Sequence, residues 1–222
     1  MQGNRVGTNR TGSAPLGNFR FGIAATGSGA VIGGSGAGEG NHVAGTWDEG
    51  IRVNTGAVDT VIQGNLIGTN TAGDGKLSTD HDEAVYVMAS TGTLIGGTGP
   101  GEGNLISGNN AGVRTQESPA TMLGNLIGTD ATGLSGIANT YGIQTSQAFG
   151  VGAAQQIGDG TAAGRNVISG NTGAGVYADQ VVTLRGNYVG VGVDGTTPLG
   201  NGGFGGVRIA SSNNTIGLTE LA

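Results

Sequence analysis

Gly64-Asn65-Leu66-Ile67-Gly68-Thr69 is the stretch that decides how this chain is read. The same six letters return at Gly124-Asn125-Leu126-Ile127-Gly128-Thr129. Looser copies stand at Gly3-Asn4-Arg5-Val6-Gly7-Thr8 and Gly186-Asn187-Tyr188-Val189-Gly190-Val191. The four asparagines lie 61, 60 and 62 residues apart (65−4, 125−65, 187−125). A fixed spacing of this size is the mark of a stacked repeat, in which one supersecondary unit is copied along an axis.

Three further series run between these copies. One is Val31-Ile32-Gly33-Gly34, Leu94-Ile95-Gly96-Gly97, Gln156-Ile157-Gly158-Asp159 and Thr215-Ile216-Gly217. Another is Gly40-Asn41-His42-Val43, Gly103-Asn104-Leu105-Ile106 and Arg165-Asn166-Val167-Ile168. The last places Gly or Ala before a β-branched residue, as in Gly22-Ile23, Gly50-Ile51, Ala84-Val85, Gly112-Val113 and Gly142-Ile143. The apolar runs are short, β-branched and bounded by Gly, Asn, Ser and Thr, which predicts short strands and turns; no helical period competes.

The strands sort into threes, and each triplet makes one coil. This predicts an all-β fold: a right-handed parallel β-helix, or solenoid, of about seven three-strand coils, with a 60-residue repeat made of two coils. At about 4.8 Å per coil the rod would be about 34 Å long. Three core columns follow. They are Ile23, Ile51, Val85, Val113, Ile143, Val176, Val207; Ile32, Ile62, Ile95, Leu123, Ile157, Ile216; and Val43, Ile67, Ile106, Ile127, Ile168, Val189. Asn41, Asn65, Asn104, Asn125, Asn166 and Asn187 fall once per coil at one corner. Stacked amides there can hydrogen-bond as a ladder, and Asn tolerates the left-handed backbone that a sharp corner needs.

Composition narrows the function classes. Of the 222 residues 50 are Gly and 11% are charged, which suits neither collagen nor charge-rich disorder. The net charge is −6 and the single Lys and eight Arg are scattered, so no basic patch for nucleic acid is present. There is no cysteine, hence neither disulfides nor thiolate metal sites. No apolar run is long enough for a membrane span, and no signal peptide opens the chain. Residues 1–222 read as a single β-helix domain, an uncapped segment of a longer protein, whose open coils could associate end to end.

With those motifs in view, the chain resembles the right-handed parallel β-helix repeat proteins of the pectin-lyase-like superfold. It is most similar to large bacterial surface proteins whose repeats read Asn-x-Ile-Gly-Thr-Asp and Gly-Asn-x-Ile-Ser-Gly-Asn. Asn125 to Asp130 and Gly103 to Asn109 carry the likeness. The resemblance implies an extracellular or cell-surface location. It does not fix an activity, because the superfold hosts lyases, hydrolases, epimerases, adhesins and spacers.

Three places could carry function. Aligned loops run from Thr8 to Asn18, Thr69 to Thr79, Thr129 to Asn139 and Val191 to Asn201, and should project on one side. The outward residues of one strand series form a column: Ala24, Arg52, Tyr86, Arg114, Gln144, Tyr177, Arg208. Arg52, Tyr86, Arg114, Tyr177 and Arg208 are the candidate carbohydrate contacts, since sugars are bound by ring stacking and planar donors; a solvated face of stacked long side chains is the bland alternative.

The third is an acidic corner, Asp80-His81-Asp82-Glu83, preceded one coil earlier by Trp47-Asp48-Glu49. In register, Asp48 meets Asp82 and Glu49 meets Glu83. Like charges so close call for a cation between them or a shared proton. Three readings stay open: a solvated turn; a calcium site of Asp48, Glu49, Asp82 and Glu83; and a catalytic group of Asp48, Asp80, His81 and Asp82 acting on polysaccharide as lyase, hydrolase or epimerase. His42 is expected to point outward. The function expected is a structural or adhesive segment of an exported protein that contacts polysaccharide or a surface glycan, with a polysaccharide-active enzyme as the alternative. No cofactor other than calcium is implied.

Overall fold

The computed structural model describes residues 1–77, 83–146 and 154–217. Among them there is no helix. Twenty-one short strands form three sheets of seven, and within each sheet every strand pairs with the one three places on. All of these pairings are parallel. The chain is therefore a parallel β-solenoid, as the repeat spacing predicts.

The first sheet contains Arg5–Val6, His42–Val43, Leu66–Ile67, Leu105–Ile106, Leu126–Ile127, Val167–Ile168 and Tyr188–Val189. The second contains Ile23–Ala25, Glu49–Val53, Glu83–Met88, Ala111–Gln116, Tyr141–Ser146, Val176–Ala178 and Val207–Ile209. The third contains Val31–Gly33, Val61–Gln63, Thr93–Gly96, Ala120–Leu123, Gln155–Ile157, Val182–Leu184 and Thr215–Ile216. Two-residue strands hold because Gly or Asn turns flank them and, in the inner coils, they pair on both sides.

The core is columnar. Ile51 pairs with Ile23 and Val85, and Val113 with Val85 and Ile143, so β-branched side chains stack in register inside the rod. Ile67, Ile106, Ile127 and Ile168 form the column of the first sheet and are fully buried. Each such side chain contributes roughly 1.5–3 kcal/mol. One expected member is corrected: Met122, not Leu123, pairs with Ile95 and Ile157. Leu123 sits opposite Gly96 and is half-buried, because the strand alternates one residue earlier than the apolar letter suggests.

The ladder forms at Asn41, Asn65, Asn104, Asn125, Asn166 and Asn187, and Asn4 extends it. The Nδ2 of Asn104 donates to Oδ1 of Asn125 at 2.9 Å and to the Ile62 carbonyl at 2.8 Å. The Asn104 backbone N–H donates to the same Asn125 oxygen at 3.1 Å. The left-handed backbone expected of these asparagines is not theirs. Before Asn65, Asn125 and Asn187 it belongs to Gly64, Gly124 and Gly186, at φ 66°, 68° and 69°. Glycine takes the turn at no steric cost, leaving Asn a regular backbone and a side chain free to bond along the axis.

A second amide ladder runs at another corner. Asn109 donates to Asn139, Asn139 to Asn171, and Asn171 to Asn201, at 3.2, 3.0 and 2.9 Å. The four aligned loops do not stand free. Each closes on itself, with Thr8 bridging Pro15, Thr69 Lys76, Thr129 Gly136 and Val191 Pro198. They also stack on one another: Ala131 N–H donates to the Gly73 carbonyl at 2.8 Å, and Val193 N–H to that of Gly133 at 3.0 Å. Leu77 and Ile137 are buried and pin their loops to the rod.

Candidate functional site

The outward column lies in register as expected. Arg52 pairs with Ala24 and Tyr86, Arg114 with Tyr86 and Gln144, and Tyr177 with Gln144 and Arg208. Neighbours at this spacing stack guanidinium on ring. The Arg52 guanidinium carbon lies 5.0 Å from the Tyr86 ring centroid and 5.0 Å from that of Phe21. Arg114 approaches Tyr86 at 5.6 Å, and Arg208 approaches Tyr177 at 5.3 Å. Tyr86 is 8% exposed, and its hydroxyl donates to Gln116 Oε1 at 2.6 Å. Burial pushes that hydroxyl above its ordinary pKa, and Arg114 and Arg52 pull it back only in part. Tyr86 is thus a filled position in the stack, held between Arg52 and Arg114.

At the acidic corner two carboxylates lie in register beside two arginines. Glu49 and Glu83 are register partners, 6% and 8% exposed. Glu49 pairs with Arg52, and Glu83 accepts from Arg114 at 2.7 Å. The arginines of the outward column compensate these buried carboxylates in part, and Glu49 Oε2 is buried without a hydrogen-bond partner among the described residues. Asp48 faces solvent and meets Arg20 at 3.6 Å. Asp80, His81 and Asp82 lie outside the described residues. Among the described residues no three acidic or His groups gather in a way that could hold a metal ion.

At the far end of the column the side chains surround a cavity. Tyr141, Gln144, Tyr177, Phe204 and Arg208 line a cavity of about 220 Å³. The Tyr141 and Phe204 rings are nearly parallel, 9° apart in plane with centroids 6.4 Å apart. Arg208 reaches 5.1 Å from the Phe204 centroid, and Phe204 is 55% exposed. Tyr141 and Phe204 were not singled out by sequence. A signal existed: Phe21, Glu49, Glu83 and Tyr141 each stand immediately before a Gly-Ile, Gly or Ala-Val step of the strand series, and Glu49, Glu83, Ala111 and Tyr141 form a register row.

Aromatic side chains are unevenly placed. Eight of the nine lie among the described residues. Phe21, Tyr86, Tyr141, Tyr177 and Phe204 belong to the outer side of the second sheet through the contacts above, and Phe19 and Trp47 stand on the corner leading into it. Trp47 is 68% exposed. Tyr188 alone of the eight lies in the first sheet, under Arg165.

Larger hollows of about 430 and 350 Å³ run along the first sheet. Their walls are mostly glycine backbone and their floor includes Leu66, Leu105 and Leu126; Arg5 and His42 are the titratable side chains there. Volume does not outweigh chemistry here, since recognition needs convergent polar or aromatic groups. His42, expected to point outward, does occupy an outward strand position but is 6% exposed under the loops. Its Nε2 donates to the Thr69 carbonyl at 2.6 Å. Burial lowers its pKa; that hydrogen bond opposes the shift and Arg5 adds to it. At the loop tips, backbone N–H groups of Thr197 and Thr196 hold the Asp194 carboxyl below the usual range. For Asp130, slight burial works the other way, but Thr132, Ser135 and Leu134 hydrogen bonds prevail and lower it.

No family model, curated protein or solved structure matches the chain.

Proposed function

We propose that this chain is a rigid structural or adhesive segment of an exported protein, and that it contacts carbohydrate through the outer face of its second sheet. The observation that carries this reading is the gathering of aromatic rings and arginines on that one face. Sugars are recognised by CH faces laid on aromatic rings and by planar hydrogen-bond donors, and a solenoid repeats such groups along its axis. The amide ladders and core columns support the rigid role, because each coil is fixed to the next by buried side chains as well as backbone. Location at the cell surface rests on the resemblance of the repeats to bacterial surface proteins.

The chain, incubated with a panel of neutral and uronate polysaccharides with and without Ca²⁺, is expected to retain a member of the panel on a pull-down while generating no new reducing ends or unsaturated products. Turnover that disappears in Asp82→Asn would replace this reading with a polysaccharide-active enzyme. Absence of both retention and turnover would leave only the structural role.

A further inference from the structure

His42 stands where the repeat elsewhere uses a serine. Gly68-Thr69, Gly128-Thr129 and Gly190-Val191 lead into three of the aligned loops. In two of them a serine from the coil before holds the carbonyl at the loop root. Ser107 Oγ donates to the Thr129 carbonyl at 2.7 Å, and Ser169 Oγ to that of Val191 at 2.8 Å. These serines close the triplets Leu105-Ile106-Ser107 and Val167-Ile168-Ser169. The triplet in the same register one repeat earlier is His42-Val43-Ala44, which has no hydroxyl. There the Thr69 carbonyl accepts from His42 Nε2 instead. One of three equivalent loops is thus held by a side chain that titrates near neutral pH, and the other two by hydroxyls that do not.

The surroundings of the ring oppose a positive charge. Nδ1 of His42 is buried with no hydrogen-bond partner among the described residues. Gly12 of the preceding loop lies against both the ring and the Arg5 guanidinium, and Arg5 is the charged group whose field reaches it. Leu66 of the next strand and Thr71 of the held loop, which line the same hollow, carry no charge. Arg10, Asp74 and Lys76 on the two loops are exposed, and Glu39 across the hollow turns its carboxylate onto the Gly36 N–H at 2.9 Å. A second ring proton would place an N–H on Nδ1 with nothing to receive it, beside a guanidinium. The imidazolium regains partners only by leaving for water, and the Thr69 carbonyl then loses its donor.

We propose that His42 is an acid-sensitive latch for the loop from Thr69 to Leu77. Neutral, it pins the loop root over the first-sheet hollow; charged, it releases that loop while the loops rooted at Thr129 and Val191 stay closed. Release uncovers the hollow floored by Leu66 and bordered by Thr71. Because burial lowers the closed-state pKa, opening takes up a proton. Opening therefore becomes easier as pH falls below the open-state value of about 6.5, by at most about tenfold per pH unit, until the closed-state value is reached.

Native-state hydrogen exchange on the intact chain tests this, with one loop as control for another. The N–H groups of Asn70, Gly73 and Leu77 close the first loop onto the carbonyls of Gly75, Asn70 and Gly68, and those of Asp130, Gly133 and Ile137 make the same three bonds in the next. Protection of the first set should fall severalfold between pH 7 and pH 5 while that of the second set holds. His42→Leu with Ala44→Ser writes the Leu-x-Ser pattern of Leu105-Ile106-Ser107 into the first loop's coil. That double variant should keep the first set protected at both pH values, and His42→Leu alone should leave it poorly protected at both. Equal loss of protection in the two loops on acidification, a pH response that persists in the double variant, or full protection in His42→Leu alone overturns the latch. Should the single variant fail to fold, the contrast between the two loops and the behaviour of the double variant still decide it.

Discussion

Glu49 and Glu83 lie side by side in adjacent parallel strands, each less than a tenth exposed, and each meets an arginine that also stacks on Tyr86. Two acids, two arginines and one ring thus form a single cross-strand unit spanning Glu49–Val53, Glu83–Met88 and Ala111–Gln116. Arg114→Leu should destabilise the chain by about 2 kcal/mol, since it leaves Glu83 next to Glu49 with less compensation; the partial exposure of Arg114 keeps the cost below that of a fully buried pair. Replacing Glu83 by Leu in that background should recover most of the loss. Thermal unfolding of the single and double variants checks this.

The ladder makes a sharper case. Asn104 is 1% exposed, accepts from Asn65, and donates to Asn125 and Ile62. Asn104→Ala removes the acceptor of the Asn65 backbone N–H, one acceptor of its side-chain amide and a donor to the Ile62 carbonyl, for about 3 kcal/mol in all. Asn187→Ala, at a half-buried rung, should cost less, about 1 kcal/mol. Urea unfolding, with hydrogen exchange to localise the effect, separates the two.

Two glycines give a contrast within one residue type. Gly96 has φ 83°, and a Cβ there would collide with the Leu123 carbonyl oxygen of the next coil. A Cβ at Gly200 meets nothing within 4 Å. Gly96→Ala should cost more than about 2 kcal/mol or prevent folding, whereas Gly200→Ala should be neutral or stabilise by about 0.5 kcal/mol through the unfolded chain. Thermal unfolding checks this: the melting temperature should fall or the transition vanish for Gly96→Ala, and hold or rise for Gly200→Ala.

His42 gives a pH signature. Its folded-state pKa is lowered, chiefly by burial, so the unfolded chain takes up its proton first as pH falls. The contribution of the neutral imidazole to stability is complete above the unfolded value of about 6.5 and is lost as pH drops from there toward the lower folded value. His42→Gln should flatten the decline in stability between about pH 7 and pH 5, and the His42 ring resonance should titrate below the ordinary histidine range.

Much of this architecture is legible in the letters. The 60-residue spacing, the strand triplets, the Asn41-to-Asn187 ladder and the register of the Arg52–Tyr86–Arg114 column can all be read from position alone, because a solenoid maps sequence period directly onto neighbours in space. What fails is what period does not encode. Met122 displaces Leu123 because both letters are apolar and only alternation with Gly96 tells them apart. The second ladder hides because Asn109, Asn139, Asn171 and Asn201 sit in segments of differing wording. His42 is covered by loops from other coils, and Phe204 reaches Tyr141 from two coils away; neither contact follows from the local sequence.

The central claim is that ligand contact belongs to the outer face of the second sheet. It is tested most directly by mapping where a retained polysaccharide fragment binds, using aromatic, arginine and leucine-methyl side-chain NMR shifts on the intact chain. The account predicts perturbations at Tyr141, Tyr177, Phe204 and Arg208, with Leu66, Leu105 and Leu126 in the first-sheet hollow unchanged. Perturbations confined to that hollow, with the aromatic face silent, would contradict it.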